Sequence, residues 1–112
     1  MTQIISTIAV NDMVVVRANK IAERTGSLEM GIAKAMLIEL LKTKLSSGVA
    51  HFIFQKRDGS LREMFATTNP ALCSRHINGR GVSREYYATT AVFDVESGSW
   101  KSFRWETLIK VF

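Results

Sequence analysis

The sequence predicts an α+β domain in which one or two N-terminal helices precede a small antiparallel β-barrel of four to five strands. Three observations lead there. Apolar residues recur at helical spacing up to Ser46-Ser47-Gly48. Beyond that point β-branched and aromatic residues alternate with polar ones in runs of strand length. Short glycine-containing turns, Asp58-Gly59 and Glu96-Ser97-Gly98-Ser99, separate the runs closely enough for consecutive strands to pair as hairpins. Curling such a set into a barrel hides its edges.

The elements follow in order, with residues 1–27 forming an arm and a short helix and residues 28–112 a helix plus barrel, all within one compact domain. Residues 2–10 suit a short strand or an arm. From Asp12, which offers an N-cap, Met13 to Arg24 suit a short helix with Val14, Val15, Ala18, Ile21 and Ala22 on one side. Thr25-Gly26-Ser27 interrupts it, and Ser27 can cap a second helix from Leu28. There Met30, Ala33, Met36, Leu37, Leu40, Leu41 and Leu45 follow helical spacing, and Ser46-Ser47-Gly48 supplies the stop. Residues 49–56 read as a strand with Phe52 and Phe54 on one face. Asp58-Gly59 predicts a type I′ turn, with positive φ at both positions. Leu61 to Thr67 is the return strand, Asn69 to Glu85 a polar loop, and Tyr86 to Val95 a third strand. Trp100 to Arg104 is a fourth, Trp105 to Leu108 a single helical turn, and Ile109 to Phe112 a last short strand.

A chain of 112 residues is long enough for one core and too short for two ordinary domains. Its 46% apolar and 22% charged residues are globular in character. Fifteen Lys and Arg against ten Asp and Glu leave a net charge of +5, and the pI is about 9.7. That balance favours a polyanionic or acidic partner. The single cysteine, Cys73, excludes an internal disulfide and leaves no thiolate set for zinc, so neither metal nor cofactor is expected. No apolar stretch approaches the roughly 20 residues that span a bilayer, and the N-terminus lacks the basic region and cleavage site of a signal peptide. A reducing cytoplasm is the default location, with no membrane partner.

Candidate binding residues are cationic and aromatic. The 69–85 loop holds Arg75, His76, Arg80 and Arg84 against Glu85, with Gly79 and Gly81 to let backbone approach a phosphate. Lys56 and Arg57 flank the hairpin turn. Arg62 and Arg104 suit an anion if they meet across neighbouring strands; the plain alternative is pairing with Glu63, Asp94 or Glu106. Tyr86 and Tyr87 alternate in direction, so one of them faces outward as a stacking platform for a base. Phe103 and Trp100 are expected in the core. Two histidines with no Ser-His-Asp order, and Cys73 three residues before His76, give no assembled nucleophile and base, so catalysis is not expected. Asn78-Gly79-Arg80-Gly81-Val82 has neither the spacing nor the following helix of a phosphate loop. The helix pair has the outline of a helix-turn-helix, but its second helix carries apolar residues where base-reading side chains should project. The Met and Leu stripe (Met30, Met36, Leu37, Leu40 and Leu41) either lies against the barrel or serves a partner or a second copy.

Two segments are similar to a known family. One is Ser47-Gly48-Val49 with Phe52-Ile53-Phe54-Gln55-Lys56-Arg57-Asp58-Gly59-Ser60-Leu61-Arg62-Glu63-Met64 and Thr67. The other is Phe93-Asp94-Val95-Glu96-Ser97-Gly98-Ser99-Trp100-Lys101-Ser102-Phe103-Arg104. Together they resemble the start and end of the Sm-like, Src-homology-3-type barrel related to the WYL domain, common in phages and mobile elements of bacteria, notably Bacteroidetes. The resemblance covers residues 28–112 and implies an Sm-like barrel in a bacterial host cell. It also implies nucleotide or single-stranded nucleic-acid binding by polar and basic residues over the barrel. Arg62 falls in the arginine-containing segment after the hairpin, and Phe103-Arg104 resembles the end motif; the WYL tripeptide itself is absent. The expected function is therefore non-catalytic binding of nucleic acid or a nucleotide. The alternative is a protein-binding inhibitor or adaptor, for example a phage factor that neutralises a bacterial defence complex.

Overall fold

A computed structural model describes residues 12–73 and 88–112. Among these residues the first two elements are a helical hairpin, α1 (Asp12–Thr25) and α2 (Leu28–Ser47). The break between them is local chemistry. Gly26 takes a left-handed φ of +74°, closed by its N–H to the Ala22 carbonyl at 2.8 Å. Ser27, extended at φ −137°, then accepts the Met30 N–H on its hydroxyl at 3.1 Å and starts α2 as expected.

Packing selects faces that periodicity alone does not. On α1 the buried residues are Val14, Arg17, Ala18 and Ile21, while Val15 is exposed. Arg17 holds a core position because its guanidinium is 2.8 Å from Glu39 and lies over the Trp105 ring at 5.8 Å. On α2 the buried line is Gly31, Ala35, Ile38, Leu41 and Leu45. The expected stripe is thus corrected in part: Met30, Met36 and Leu40 are exposed and Leu37 is half-buried. The reason is close approach at the small residues. A Cβ on Gly31 would stand 2.3 Å from the Ala18 carbonyl oxygen, so α1 seats on the Gly31 side of α2.

Five antiparallel strands follow: β1 (Ala50–Gln55), β2 (Leu61–Thr67), β3 (Thr89–Asp94), β4 (Ser99–Arg104) and β5 (Leu108–Val111), ordered β4-β3-β2-β1-β5. A short helix, α3 (Pro70–Cys73), follows β2, and a single 3-10 turn, Trp105–Thr107, joins β4 to β5. The β1–β2 hairpin keeps continuous register from Ala50↔Ala66 to Gln55↔Leu61. Its turn differs from the expected type I′. Only Gly59 has positive φ, at +92°, while Asp58 accepts the Ser60 N–H at 2.9 Å and the Ser60 hydroxyl at 2.6 Å. The Gly59 N–H to Lys56 carbonyl bond makes this the longer turn with a left-handed glycine at its end.

The two helices and five antiparallel strands fit the α+β expectation, with one correction: the ladder does not close into a barrel. β4 and β5 end the sheet without pairing to each other. β2 and β3 are staggered so far that they share only Ala66↔Asp94 and Thr67↔Phe93. Stagger curls a sheet, and here Phe103 of β4 meets both Phe52 and Phe54 of β1 at ring-centroid distances of 5.5 Å, although β3 and β2 lie between them in the sheet. The chain bridges the remaining gap with the 3-10 turn, which adds no rung to the sheet ladder but drives Trp105 into the core. Trp105 is fully buried and donates its indole N–H to Thr90 Oγ1 at 2.9 Å.

The helical hairpin is bolted to this curled sheet by polar contacts as well as by core packing. Lys34 donates to the Leu108 carbonyl, and burial pushes its ammonium below the usual lysine range. At the other end of α2, Thr67 Oγ1 and the Thr68 N–H both donate to the Leu45 carbonyl at 3.1 Å, and Asn69 Nδ2 donates to the Ser46 carbonyl at 2.9 Å. The end of β2 thereby satisfies carbonyls that the helix terminus leaves open.

Candidate basic groove

Along the open seam of the sheet lies a groove of about 710 Å³. The end of β1 contributes Phe54 and Gln55, and the hairpin tip Lys56 and Arg57. β2 adds Arg62, β3 Thr89, β4 Ser102, Phe103 and Arg104, the 3-10 turn Glu106 and Thr107, and the last turn of α1 Arg24. Among the described residues, five cationic side chains and one carboxylate therefore surround one space. Its floor is apolar: the Phe54 and Phe103 rings stack at 5.5 Å and 24°, Phe103 buried and Phe54 half-buried.

Three of the five cations are held in place by carboxylates. Arg62 Nη2 lies 2.9 Å from Asp94 Oδ2, with the arginine side chain 35% exposed and the aspartate fully buried. Burial pushes the Asp94 carboxyl up. The Ser97 hydroxyl, the Glu96 and Ser97 N–H groups and the Arg62 charge outweigh it, so the carboxyl titrates below its ordinary range. Glu106 bridges two other cations, Arg24 at 2.7 Å through Oε1 and Arg104 at 3.1 Å through Oε2. Arg24 also donates to the Ala88 carbonyl at 3.2 Å, which accepts the Trp105 N–H at 3.2 Å as well. Ala88 itself has φ +56°, a left-handed conformation that costs a non-glycine residue about 1–2 kcal/mol. Two hydrogen bonds to one carbonyl hold that backbone at the groove wall.

Of the sequence-predicted binding residues, Lys56, Arg57, Arg62 and Arg104 come together here. Arg62 and Arg104 share the groove without lying on neighbouring strands, and both take the carboxylate partners that were their plain alternative. Arg75, Arg80, Arg84, Tyr86 and Tyr87 lie outside the described residues, as does His76. On α2, Leu41 is fully buried beneath the sheet and is corrected from an interface residue to a core residue. Trp100 is corrected in the opposite sense: it is 38% exposed, set edge-on to Phe93 at 5.7 Å, while Phe103 takes the core position. Arg24 and Glu106 were missed as groove residues. No local signal could supply them, because the contacts of Arg24 with Ala88 and Glu106 span 64 and 82 positions.

The other reactive side chains have structural surroundings. Cys73 is buried and its thiol donates to the Asn69 carbonyl at 3.3 Å. His51 is stacked between Phe65 and Phe112 at 4.2 and 4.0 Å, with Nε2 2.8 Å from Glu63. No group of three His, Cys, Asp or Glu suited to a metal occurs among the described residues. No helix among them is long and apolar enough to cross a membrane.

Comparison with known proteins places the fold. A family described as WYL_2, Sm-like SH3 beta-barrel fold, matches residues 38–109, which span the second half of α2, β1 to β4, the start of β5 and the described groove residues except Arg24. An Enterobacteria phage T4 protein, described as an uncharacterized 11.5 kDa protein in the Gp31-cd intergenic region, is 37% identical over 81 residues. The match covers 70% of this chain and 79% of that protein. No solved structure matches.

Proposed function

We propose a binding role from the fact that this chain belongs to the WYL_2 family, of Sm-like SH3 β-barrel fold: a non-catalytic protein whose basic groove engages nucleic acid or a nucleotide. The observation that carries this reading is the groove itself, five cations around an apolar aromatic floor. Phosphate oxygens suit the guanidinium groups of Arg57, Arg62 and Arg104, which accept bidentate geometry. A base suits the half-buried ring of Phe54, since stacking on an aromatic face is tolerant of sequence. The carboxylates at Asp94 and Glu106 fix the arginines before ligand arrives, which lowers the ordering cost of binding.

Titration of labelled single- and double-stranded oligonucleotides and of a mononucleotide at about 50 and 200 mM salt tests this. Each phosphate neutralised on a single strand changes log K by about −0.7 per decade of salt, so a groove contacting three to five phosphates gives a slope of about −2 to −3.5. Absence of binding at the lower salt overturns the proposal.

A second reading rests on the relative in a phage. In it the same groove receives an acidic protein surface, as in a factor that neutralises a bacterial defence complex. Affinity purification from bacterial lysate after nuclease treatment separates the two. A single protein retained stoichiometrically, and released by charge reversal at Arg57, favours the second.

A further inference from the structure

α2 is apolar on both sides. Its inner line of Gly31, Ala35, Ile38, Leu41 and Leu45 is buried, yet Ile32, Met36 and Leu40 on the outer side are each nearly half exposed, at 47%, 48% and 45%. Spaced four residues apart, these three form one continuous ridge. A helix that is hydrophobic all round belongs where both sides are covered, and among the described residues the sheet and α1 cover only one. The ends of the helix differ in sign: Glu29 lies in the first turn and Lys44 in the last. No α2 residue lines the groove.

We infer that the ridge is an interface with a second copy of this chain, α2 packing antiparallel on the partner's α2 about a two-fold axis at Met36. The ridge is its own complement under that operation. Ile32 and Leu40 are equidistant from Met36, so Ile32 faces the partner's Leu40 and Met36 faces the partner's Met36. The charges follow the same symmetry. Glu29 and Lys44 flank Met36 by seven and eight positions, so each Glu29 falls beside the partner's Lys44 at the two ends of the contact. A parallel pairing would set Glu29 against Glu29 and Lys44 against Lys44. Antiparallel packing also opposes the helix dipoles. Such an interface is isologous, the commonest form of homodimer. A shallow antiparallel crossing, with the ridge of one helix in a groove of the other, brings helix axes to about 8–10 Å, which removes Met36 from water in both copies.

Sedimentation velocity on the full chain between about 1 and 100 μM tests the inference, a range in which modest interfaces associate. The wild-type chain is expected to be a dimer, and Met36→Asp to raise its dissociation constant at least about tenfold while leaving the circular dichroism spectrum unchanged and the melting temperature close to that of the wild type diluted to its monomer. Glu29→Lys and Lys44→Glu are each expected to weaken the dimer, and the double variant to restore it, because both contacts then reverse sign together. A monomer throughout the range overturns the proposal, as does a dimer indifferent to Met36→Asp. A wild-type monomer whose melting temperature drops with Met36→Asp means that the chain's own residues cover the ridge, and this also overturns it. A double charge variant no better than the singles overturns the antiparallel arrangement.

Discussion

Asp94→Asn is expected to lower stability and raise anion affinity at the same time. The Asp94 carboxylate is fully buried, with Oδ2 accepting Arg62 Nη2 at 2.9 Å and Oδ1 accepting the Glu96 N–H at 3.0 Å. Removing one member of a fully buried pair costs about 3–5 kcal/mol. Here Arg62 is 35% exposed and can turn to water, and the amide oxygen of asparagine keeps an acceptor for Glu96. The expected loss is therefore about 1–2 kcal/mol, a fall in melting temperature of about 5–15 °C for a domain of this size. The binding effect has the opposite sign. Asp94 sits behind Arg62 and partly cancels its field in the groove. Taking away one negative charge about 8 Å from a bound phosphate, at an effective dielectric between that of water and that of the surface, is worth about 1 kcal/mol, or about fivefold in affinity.

Urea denaturation and oligonucleotide titration on the same preparation read both effects. A folded Asp94→Asn chain that binds more weakly would refute the reasoning, because it would mean that Arg62 contributes only in the position Asp94 gives it. The pH dependence supplies an internal check. The folded carboxyl titrates below its unfolded value, so Asp94 contributes stability that is fully present above the unfolded pKa of about 3.9. That contribution is lost as pH falls through the lower folded value. Wild-type stability should decline on acidification through that window, and the Asp94 share of the decline should vanish in Asp94→Asn.

Two further substitutions probe the groove and the helical hairpin. Lys56→Ala combined with Arg57→Ala removes the two groove cations at the exposed hairpin tip, so the salt slope for a single-stranded oligonucleotide should flatten by up to about 1.4 with little change in stability; an unchanged slope would place the ligand elsewhere. Gly31→Ala sets helix propensity against packing. Alanine gains about 1 kcal/mol in a helix interior, but its Cβ would lie 2.3 Å from the Ala18 carbonyl oxygen and 3.1 Å from the Ala22 nitrogen, backbone atoms that can yield only if α1 moves. Overpacking of that kind costs about 1–3 kcal/mol or more, so net destabilisation is expected in a thermal melt, and a more stable variant would show that the helices separate easily.

What could be read from the residues alone was what neighbouring residues encode. Ser27 caps α2, Gly48 ends it, and β2 runs from Leu61 to Thr67 as the alternation indicated, because each depends on chemistry within a few positions. The final turn at Trp105 and the short strand after it were legible for the same reason. The faces of α2 were not. A helix with apolar residues at nearly every angle carries no periodic signal, and the choice fell to Gly31, whose missing side chain lets α1 approach. Trp100 and Trp105 look alike in sequence, yet Trp105 is fully buried with its indole N–H on the Thr90 hydroxyl, while Trp100 is 38% exposed. The open seam follows from a stagger between β2 and β3, a register choice that no hairpin turn dictates because a long connection separates the two strands. In the groove, local sequence could nominate Arg62 and Arg104 but not bring in Arg24 from the far end of the chain.

The groove and the outer ridge of α2 together yield a consequence that neither has alone. A two-fold dimer carries two basic grooves, so a strand long enough to reach both binds the second one intramolecularly, with a gain of about 10²-fold or more when the geometry allows. An oligonucleotide of about eight nucleotides fills one groove and gains nothing. The wild-type chain should therefore bind a strand of about 40 nucleotides far more tightly than one of eight, even after correction for the number of sites, and Met36→Asp should abolish that difference while leaving short-strand affinity intact. The two proposals fail in different ways. If the groove does not bind nucleic acid, neither strand binds either protein. If the dimer does not form, the wild type and Met36→Asp show the same dependence on length, and sedimentation finds both monomeric. A dimer that binds short strands but shows no length advantage would mean that the two-fold axis points the grooves apart, which a series of strands of increasing length would reveal as a threshold rather than a gradual rise.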